Sequence, residues 1–413
     1  MRRWRAWSML LAWSVAAAGC GTPTSAPRVH LTKYEQIGPS DSPAKVLSDV
    51  TTYLADNISG ADVGQTFGVV DANVPYPDSD WSFANGGIDL RWNGGAPSPL
   101  EKYLSLADPA HLAAGKSWEQ QFHGSGFPSA SVWFGHSEAW AVSAMLNPPV
   151  IHGVDAKSDG QGGVVACDAG AAGCTRFEIG DLNGLAAEAY VSANLDYIGS
   201  RCDKGSTPAE LPRSATGRIG SLGNFCQGQN AGTLLVTLGN LLKAQQQPFA
   251  MDPQSDFSTE RLWNQPVYRY HVYRYEALTE AEAANLVSSG KRDGPLVRYQ
   301  SDDFAKGFAF VDIGVQWVAE NGPNVSFVPG LASTRETRFT AVIEMDAAAS
   351  DYDATVLGGQ FLDDPAVGSD RITHFPYVWI ARSARDPSAG PGHRNPFVDP
   401  ALVRQLIALG QQP

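Results

Sequence analysis

Two different periods of apolar residues divide the chain into a first and a second half. In the first half, apolar residues recur every three to four positions, which is typical of helices with one buried face. In the second half, the segment over 267–275 alternates at a period of two, which is typical of a half-buried strand, and further short segments are predicted as strands. The pattern predicts an α+β fold, with a helix-bearing first half and an antiparallel β-sheet that continues to the C-terminus.

The individual elements follow from this pattern and from start and stop signals. Two adjacent prolines at 148 and 149 end one predicted helix, and Thr279 with Glu282 forms a capping box that opens another. Residues 233–242 fit either a helix or a strand. Helices are predicted over 44–59, in pieces over 100–122, and over 137–146, 181–194 and 279–287. Strands are predicted over 247–252, 267–275, 308–318, 337–345, 354–361 and 376–381.

The N-terminus has the features of an export signal. A basic start with three arginines precedes a short apolar run, which ends in the small residues Ala17-Ala18-Gly19 directly before Cys20. This ending resembles the bacterial lipobox, in which the cysteine is acylated and becomes the first residue of the mature protein. We therefore expect a lipoprotein signal peptide over 1–19 and a tether over 20–45. A single folded unit should cover 46–410. The alternative is an ordinary signal peptide cleaved nearby.

Export places the remaining cysteines in an oxidising compartment. Without Cys20, four of the five cysteines remain, and they can pair in three ways. We favour the two pairs that are local in sequence, Cys167 with Cys174 and Cys202 with Cys226. A zinc site built from them competes only weakly, because no CxxC or HxxxH spacing accompanies them. We expect no metal site and no cofactor.

Composition narrows the range of functions. A net charge of −13 argues against nucleic acid as a partner, because such proteins need basic surfaces for phosphate contacts. The expected partners are a protein or peptide in the cell envelope and the lipid bilayer that holds the acylated N-terminus. If the source has two membranes, the absence of Asp after Cys20 favours the outer one. The segment over 155–160 resembles a calcium loop, but Lys157 occupies a ligand position, so a solvated turn is expected.

Several segments, in their order, resemble the elicitor-type transglutaminases. The segment over 133–140 (WFGHSEAW) resembles the family's W-x-G-x-C-x-x-W motif around the nucleophile, and 263–267 (WNQPV) is the most specific match. The likeness covers roughly residues 45–410. Its other parts are Asp181-Leu182 with Tyr190, 199–202 (GSRC), 230–232 (NAG), 358–361 (GGQF) and 374–377 (HFPY).

The resemblance implies a papain-like enzyme core. In such a core, a cysteine thiolate at a helix N-terminus attacks the carboxamide of a glutamine, ammonia leaves, and an amine or water resolves the thioester. The reaction needs a histidine as proton carrier and an acid or amide to orient it. The resemblance also implies candidate binding residues in the two tryptophan segments. They are Trp133, Trp140, Trp263, Asn264 and Gln265. For 263–266, the competing interpretation is a buried Trp with amides that satisfy backbone groups at a turn.

This chain departs from the family at two of the three catalytic positions. Ser137 stands at the nucleophile position, the histidine position falls on Leu235, and the orienting acid falls on Asp252. A serine without a base is a poor nucleophile, and loss of nucleophile or base typically lowers the rate by several orders of magnitude. Among the other histidines, His374 is the best candidate for a displaced base; His136 and His271 are expected to be surface or half-buried residues.

Three hypotheses remain open. The first is a degenerate transglutaminase-like lipoprotein that binds a peptide or envelope partner in its cleft. The second is an active acyltransferase or amidohydrolase that uses Ser137 with Asp252 and a displaced His374. A serine hydrolase of another fold fits less well, because Ala139 replaces the last glycine of the G-x-S-x-G motif. The third is a structural envelope protein.

Overall fold

The computed structural model describes residues 58–127, 134–199, 231–252, 264–289, 305–350, 354–362, 377–386, 389–390 and 392–412. The helices are α1 (Pro99–Ala107), α2 (Leu112–Phe122), α3 (Ser137–Leu146), α4 (Ile179–Tyr190), α5 (Ala231–Leu238), α6 (Glu280–Ser289) and α7 (Pro400–Gln411). A π-helical segment, Gly239–Ala244, continues α5. Short 3-10 turns cover Gly60–Asp62, Asp71–Asn73, Phe83–Asn85, Gly87–Asp89, Pro109–His111 and Gly330–Ser333.

The strands fall into two sheets. They are β1 (Thr66–Gly68), β2 (Val154–Ser158), β3 (Val164–Ala166), β4 (Thr175–Phe177), β5 (Asn194–Gly199), β6 (Phe249–Met251), β7 (Gln265–Leu278), β8 (Gly307–Val318), β9 (Thr334–Met345), β10 (Val356–Leu362) and β11 (Tyr377–Ser383). In the described residues, an eight-stranded antiparallel sheet has the order β10-β9-β8-β7-β6-β11-β5, and β1 pairs with β7. A small three-stranded sheet has the order β3-β2-β4.

The large sheet and the helices share two main buried cores. One core lies where α5 packs against β9 and β10, and the leucines of α5 are completely buried there. The other core joins α1, α3, α4 and α7 and contains Trp81, Trp140 and Trp379. Each fully buried aliphatic or aromatic side chain contributes roughly 1.5–3 kcal/mol. These two cores fix the start of α3 against the end of the sheet that carries β6 and β11.

Glycines allow two of the resembling segments to meet. Helix α5 approaches β10 so closely that a Cβ on Gly232 would lie 2.6 Å from the carbonyl carbon of Gly358. Gly359 lies next to the same place, since a Cβ there would be 3.1 Å from the backbone nitrogen of Gly232. The described part of the first segment, residues 231–232, and the segment over 358–361 are therefore neighbours, although more than a hundred residues separate them.

The predicted fold class is confirmed, and most predicted elements lie within a few residues of the observed ones. The ambiguous segment over 233–242 is helical. The helix predicted over 181–194 begins earlier, because Glu178 is its N-cap and Asp181 is the third residue of the capping box. It ends at Tyr190, since β5 begins at Asn194. The strands end at Ser383, and α7 follows them.

Most expectations for the N-terminus fall on residues that the structure does not describe. The signal peptide with Cys20, the whole tether and residues 44–57 of the helix predicted over 44–59 lie outside the described residues, and residues 58 and 59 are not helical. In the part of the chain that the structure describes, no helix combines the length and apolar character needed to cross a bilayer. The segment over 155–160 consists of β2 and a turn in which Asp159 accepts hydrogen bonds from the amides of Gln161 and Gly163.

One of the two expected disulfides is confirmed. Cys167 and Cys174 are joined, with 6.2 Å between their Cα atoms, and they close the loop between β3 and β4. Two thiols are thereby removed from the candidates for a reactive cysteine. Cys202 and Cys226 lie outside the described residues, so their pairing stays a prediction.

Candidate functional site

Ser137 is the first residue of α3, and it is half-buried. The residues behind it, from Ala139 to Ala144, are all buried, which anchors the helix in the core. The indole of Trp140 donates a hydrogen bond of 3.1 Å to the carbonyl of Tyr76. A helix N-terminus carries partial positive charge and favours a nearby anion. Ser137, which the resemblance assigns to the nucleophile position, therefore lies at a helix N-terminus and carries an alcohol instead of a thiol.

Asn264 connects this serine to the sheet. Its side-chain amide nitrogen donates to the hydroxyl of Ser137 at 3.4 Å, and its carbonyl oxygen accepts from the indole of Trp379 at 3.0 Å. Asn264 is buried, and Trp379 has no exposed surface. The hydroxyl of Ser137 therefore faces an amide that donates to it, and that amide is held in place by a buried tryptophan.

The strand register brings Asp252 to the same place. Met251 of β6 pairs with Gln265 of β7 in an antiparallel ladder. The residue after Met251 is therefore opposite the residue before Gln265, which sets the buried Asp252 beside Asn264. Two of the predicted catalytic residues, Ser137 and Asp252, thus lie at one end of the sheet, with Asn264 as their shared neighbour.

Leu235 occupies a different environment. It is buried in α5 and lines a cavity of about 360 Å³. Tyr275, Met345 and Val356 line the same cavity, and Ser137 does not. The position assigned to the family's histidine is thus part of the apolar core between α5 and the sheet.

The other predicted residues divide between described and undescribed parts of the chain. Trp140 is buried in the helical core, and Gln265 is buried and donates to Glu320 Oε1 at 3.3 Å. Trp133, Trp263 and His374 lie outside the described residues. His271 lies on β7, where Nδ1 is 2.8 Å from the hydroxyl of Thr66 on β1. His271 is therefore paired with Thr66, at the place where β1 pairs with β7.

Acidic residues lie on the segments next to the start of α3 and next to Asn264. The backbone carbonyl of Asp80 accepts from the amide of His136, and Asp78 accepts from the indole of Trp81 at 3.0 Å. Burial raises the pKa of Asp78 to about 7, although the indole hydrogen bond opposes the shift. Burial raises the pKa of Glu320 to about 8, and the charge of Asp80 adds to that. The site thus contains carboxyl groups that ionise only near neutral pH.

Trp81 adopts an unusual backbone conformation next to these carboxyl groups. Its φ is 46°, in the left-handed region that costs an L-residue roughly 1–2 kcal/mol. The side chain is completely buried, and a Cβ on Gly184 would lie 2.7 Å from its ring. Tight packing therefore holds the strained turn that presents Asp80 to the start of α3.

His136 points away from Ser137, into a buried cluster. The cluster consists of Glu119 and His123 at the end of α2, His136 before α3, and Glu188 in α4. One nitrogen or oxygen atom from each residue lies within 4.8 Å of every other, and all four residues are buried. Burial would lower the pKa of His123, but the Glu188 and Glu119 carboxylates outweigh it and raise the value to about 10. The two carboxylates of the cluster therefore favour a protonated, positively charged His123.

Sequence analysis missed this cluster because it considered only cysteine and HxxxH motifs. The available signal was the spacing of Glu119 and His123, which are four residues apart and therefore on one helix face. The partners His136 and Glu188 are distant in sequence, and only the tertiary fold brings them together.

Comparison with known proteins now complements this geometry. The crystal structure of the GP42 transglutaminase from Phytophthora sojae is similar to this chain, with a TM-score of 0.60 and 16% sequence identity. The similarity covers 89% of this chain and 99% of that one. No curated protein matches the chain significantly. The family model described as transglutaminase elicitor matches residues 114–390, which is most of the chain. The chain therefore belongs to the transglutaminase elicitor family.

Proposed function

We propose that this protein is a catalytically degenerate transglutaminase-like lipoprotein of the cell envelope, which binds a peptide or envelope partner at the cleft beside Ser137. The observation that carries the proposal is the environment of the serine. Asn264 donates a hydrogen bond to the Ser137 hydroxyl, and no histidine among the described residues is hydrogen-bonded to it, whereas activation of a serine requires a base that accepts its proton. Family membership and the similar transglutaminase structure support the scaffold.

The hydrogen-bond partners of the described histidines support the proposal that the protein does not catalyse acyl transfer. None of these histidines is hydrogen-bonded to Ser137 in the described part of the chain. His136, the sequence neighbour, is buried with Glu119 and Glu188, and His271 bonds Thr66. The aligned position is an apolar residue, Leu235. A serine hydroxyl that lacks a base remains protonated near neutral pH and attacks a carboxamide very slowly.

The charge of the cleft indicates the type of partner. The backbone of Asp80 bonds the residue before Ser137, Asp252 lies beside Asn264, and the whole chain has a net charge of −13. Low-dielectric surroundings strengthen the attraction of such carboxylates for a cation. We therefore expect a peptide segment that bears lysine or another amine. Increasing salt should weaken its binding.

An amine-incorporation assay tests the loss of catalysis. The full-length protein is incubated with a glutamine-containing donor peptide and a fluorescent primary amine, and we expect no incorporation. Turnover that Ser137→Ala abolishes would refute the proposal. Labelling by a fluorophosphonate probe, lost in the same variant, would instead favour an active serine acyltransferase or amidohydrolase with His374 as base. The matched control is Ser143→Ala, a buried serine on the same helix.

Partner binding and anchoring need separate experiments. Binding of a lysine-rich peptide, measured by fluorescence anisotropy, should weaken severalfold in Asp80→Asn and remain unchanged in Asp196→Asn, an exposed aspartate on β5. Equal binding by both variants would contradict the cleft proposal. Anchoring through Cys20 predicts that the protein fractionates with membranes and that Cys20→Ala releases it. Identical fractionation of both forms would refute lipid anchoring.

A further inference from the structure

We propose that Glu119, His123, His136 and Glu188 form a closed structural site for one divalent transition-metal ion, with Zn²⁺ as the best fit. Three observations point to a ligand: unmet hydrogen-bonding atoms, the spacing of those atoms, and the charge they carry. The site is separate from the cleft at Ser137, and the proposal does not depend on the proposed function.

The first observation is that atoms aimed into the cluster lack hydrogen bonds. His123 Nδ1, His136 Nε2 and Glu188 Oε2 are buried and have no hydrogen-bond partner. A buried polar atom without a partner costs roughly 1–3 kcal/mol, so three such atoms at one point need an explanation. A bound cation would engage all three through their lone pairs.

The second observation is the spacing of these atoms. His123 Nδ1 lies 3.3 Å from Glu188 Oε2 and 3.6 Å from Glu119 Oε2. His136 Nε2 lies 3.4 Å from Glu188 Oε2 and 3.8 Å from Glu119 Oε1. Ligands about 2.1 Å from a tetrahedral zinc ion are about 3.4 Å apart, whereas N–H···O hydrogen bonds are about 2.9 Å long. The four distances agree better with ligands of a common ion than with direct hydrogen bonds.

The third observation is the balance of charge. Two buried carboxylates carry a charge of −2, which a divalent ion neutralises when both imidazoles bind it in their neutral form and release any proton they hold. Imidazole together with carboxylate is a ligand set that suits Zn²⁺, Fe²⁺ and Mn²⁺. Four protein ligands leave no open position, which is the arrangement of a structural zinc site.

Neighbouring groups hold the carboxylates in position. The side-chain amide of Asn395 donates to Glu119 Oε2 at 3.0 Å, and its backbone amide donates to Glu188. The backbone amide of Ile88 donates to Glu119 Oε1 at 3.2 Å. Such outer contacts orient metal ligands and typically contribute a 10–100-fold factor in affinity. The hydrogen bonds leave the oxygen Glu188 Oε2 free for the ion.

Aromatic rings close the site from water. The ring of Phe83 stacks on His123 at 4.9 Å and meets His136 edge-on at 5.1 Å. Trp118 meets the ring of His123 edge-on at 4.9 Å. The ion would therefore fasten the end of α2 and the last turn of α4 to the residue directly before Ser137. Its role would be to fix the start of α3.

The experiment measures metal in the full-length, untagged protein, purified without chelators. Inductively coupled plasma mass spectrometry should find about one zinc or comparable ion per chain. Glu188→Gln and His136→Ala should each lower this content severalfold, whereas His111→Ala, an exposed histidine paired with Asp108, should not. Metal content that is equal in all three variants would overturn the proposal.

A second measurement uses the unmodified chain, so it does not depend on the folding of a variant. A chelator should lower the melting temperature, and added Zn²⁺ should restore it. Co²⁺ added to the stripped protein should give the visible absorption bands of a tetrahedral site. If no metal co-purifies, and neither Zn²⁺, Fe²⁺, Mn²⁺ nor Co²⁺ changes the melting temperature or spectrum, the cluster is an ion-paired group and the proposal is refuted.

Discussion

Asn264→Ala should destabilise the protein by removing the group that links Ser137 to the sheet. The change leaves the indole nitrogen of Trp379 buried and without its acceptor, which costs roughly 1–3 kcal/mol. The contact with Ser137 is long, at 3.4 Å, so its loss adds little. We therefore expect a loss of about 2 kcal/mol in the free energy of unfolding, measured by chemical denaturation.

A double-mutant cycle separates this cause from a general packing defect. If the orphaned indole accounts for the loss, Trp379→Phe should cost about 1 kcal/mol less in the Asn264→Ala background than in the natural chain. Asn194→Ala, which removes an exposed asparagine with two hydrogen bonds, should change stability by less than about 0.5 kcal/mol. Additive effects of Asn264→Ala and Trp379→Phe would refute the reasoning.

Two further predictions test the contact between α5 and β10 and the titration of Glu320. Gly232→Ala should lower the free energy of unfolding by about 1–3 kcal/mol, because the new Cβ would lie 2.6 Å from the backbone of Gly358. The control is Gly322→Ala, where a Cβ has no neighbour within 4 Å, and it should have almost no effect on the melting temperature. The pKa of Glu320 is about 8 instead of 4.5, so the folded state retains a proton that the unfolded state releases, and stability should fall as pH rises between these values. Glu320→Gln should flatten this dependence of stability on pH, measured by denaturation curves at a series of pH values. Asp78, whose pKa is about 7, should leave a residual decrease of stability with pH in that variant. An unchanged slope would contradict the burial of Glu320.

The fold was largely predictable because its strands obey local rules. Strands β7 to β9 show the alternation or the continuous apolar runs that buried strands require, and Thr279 and Glu282 mark the start of α6 by their reciprocal hydrogen bonds. The segment over 233–242 was ambiguous because a helix that is buried on every side has no polar face to reveal its period. Its packing against β9 and β10 exists only in the tertiary structure.

The candidate site was predictable only in part. A helix start preceded by Gly135 indicated where Ser137 would stand, and an acid after a short strand indicated Asp252. The bridge made by Asn264 could not be predicted, because it depends on β6 and β7 pairing so that Asn264 faces both α3 and Trp379. The orientation of His136 also needed the structure, since it depends on the positions of α2 and α4.

The start of α3 is held mainly by residues other than Ser137. His136 precedes the helix and faces the buried cluster, whereas the side chain of Ser137 faces Asn264. The contacts of His136 and Trp140 and the burial of residues 139–144 anchor this helix start. The side chain of Ser137 contributes one long hydrogen bond. The stability of the helix start is therefore nearly independent of whether residue 137 is an alcohol or a thiol, and Ser137→Cys should leave the melting temperature nearly unchanged.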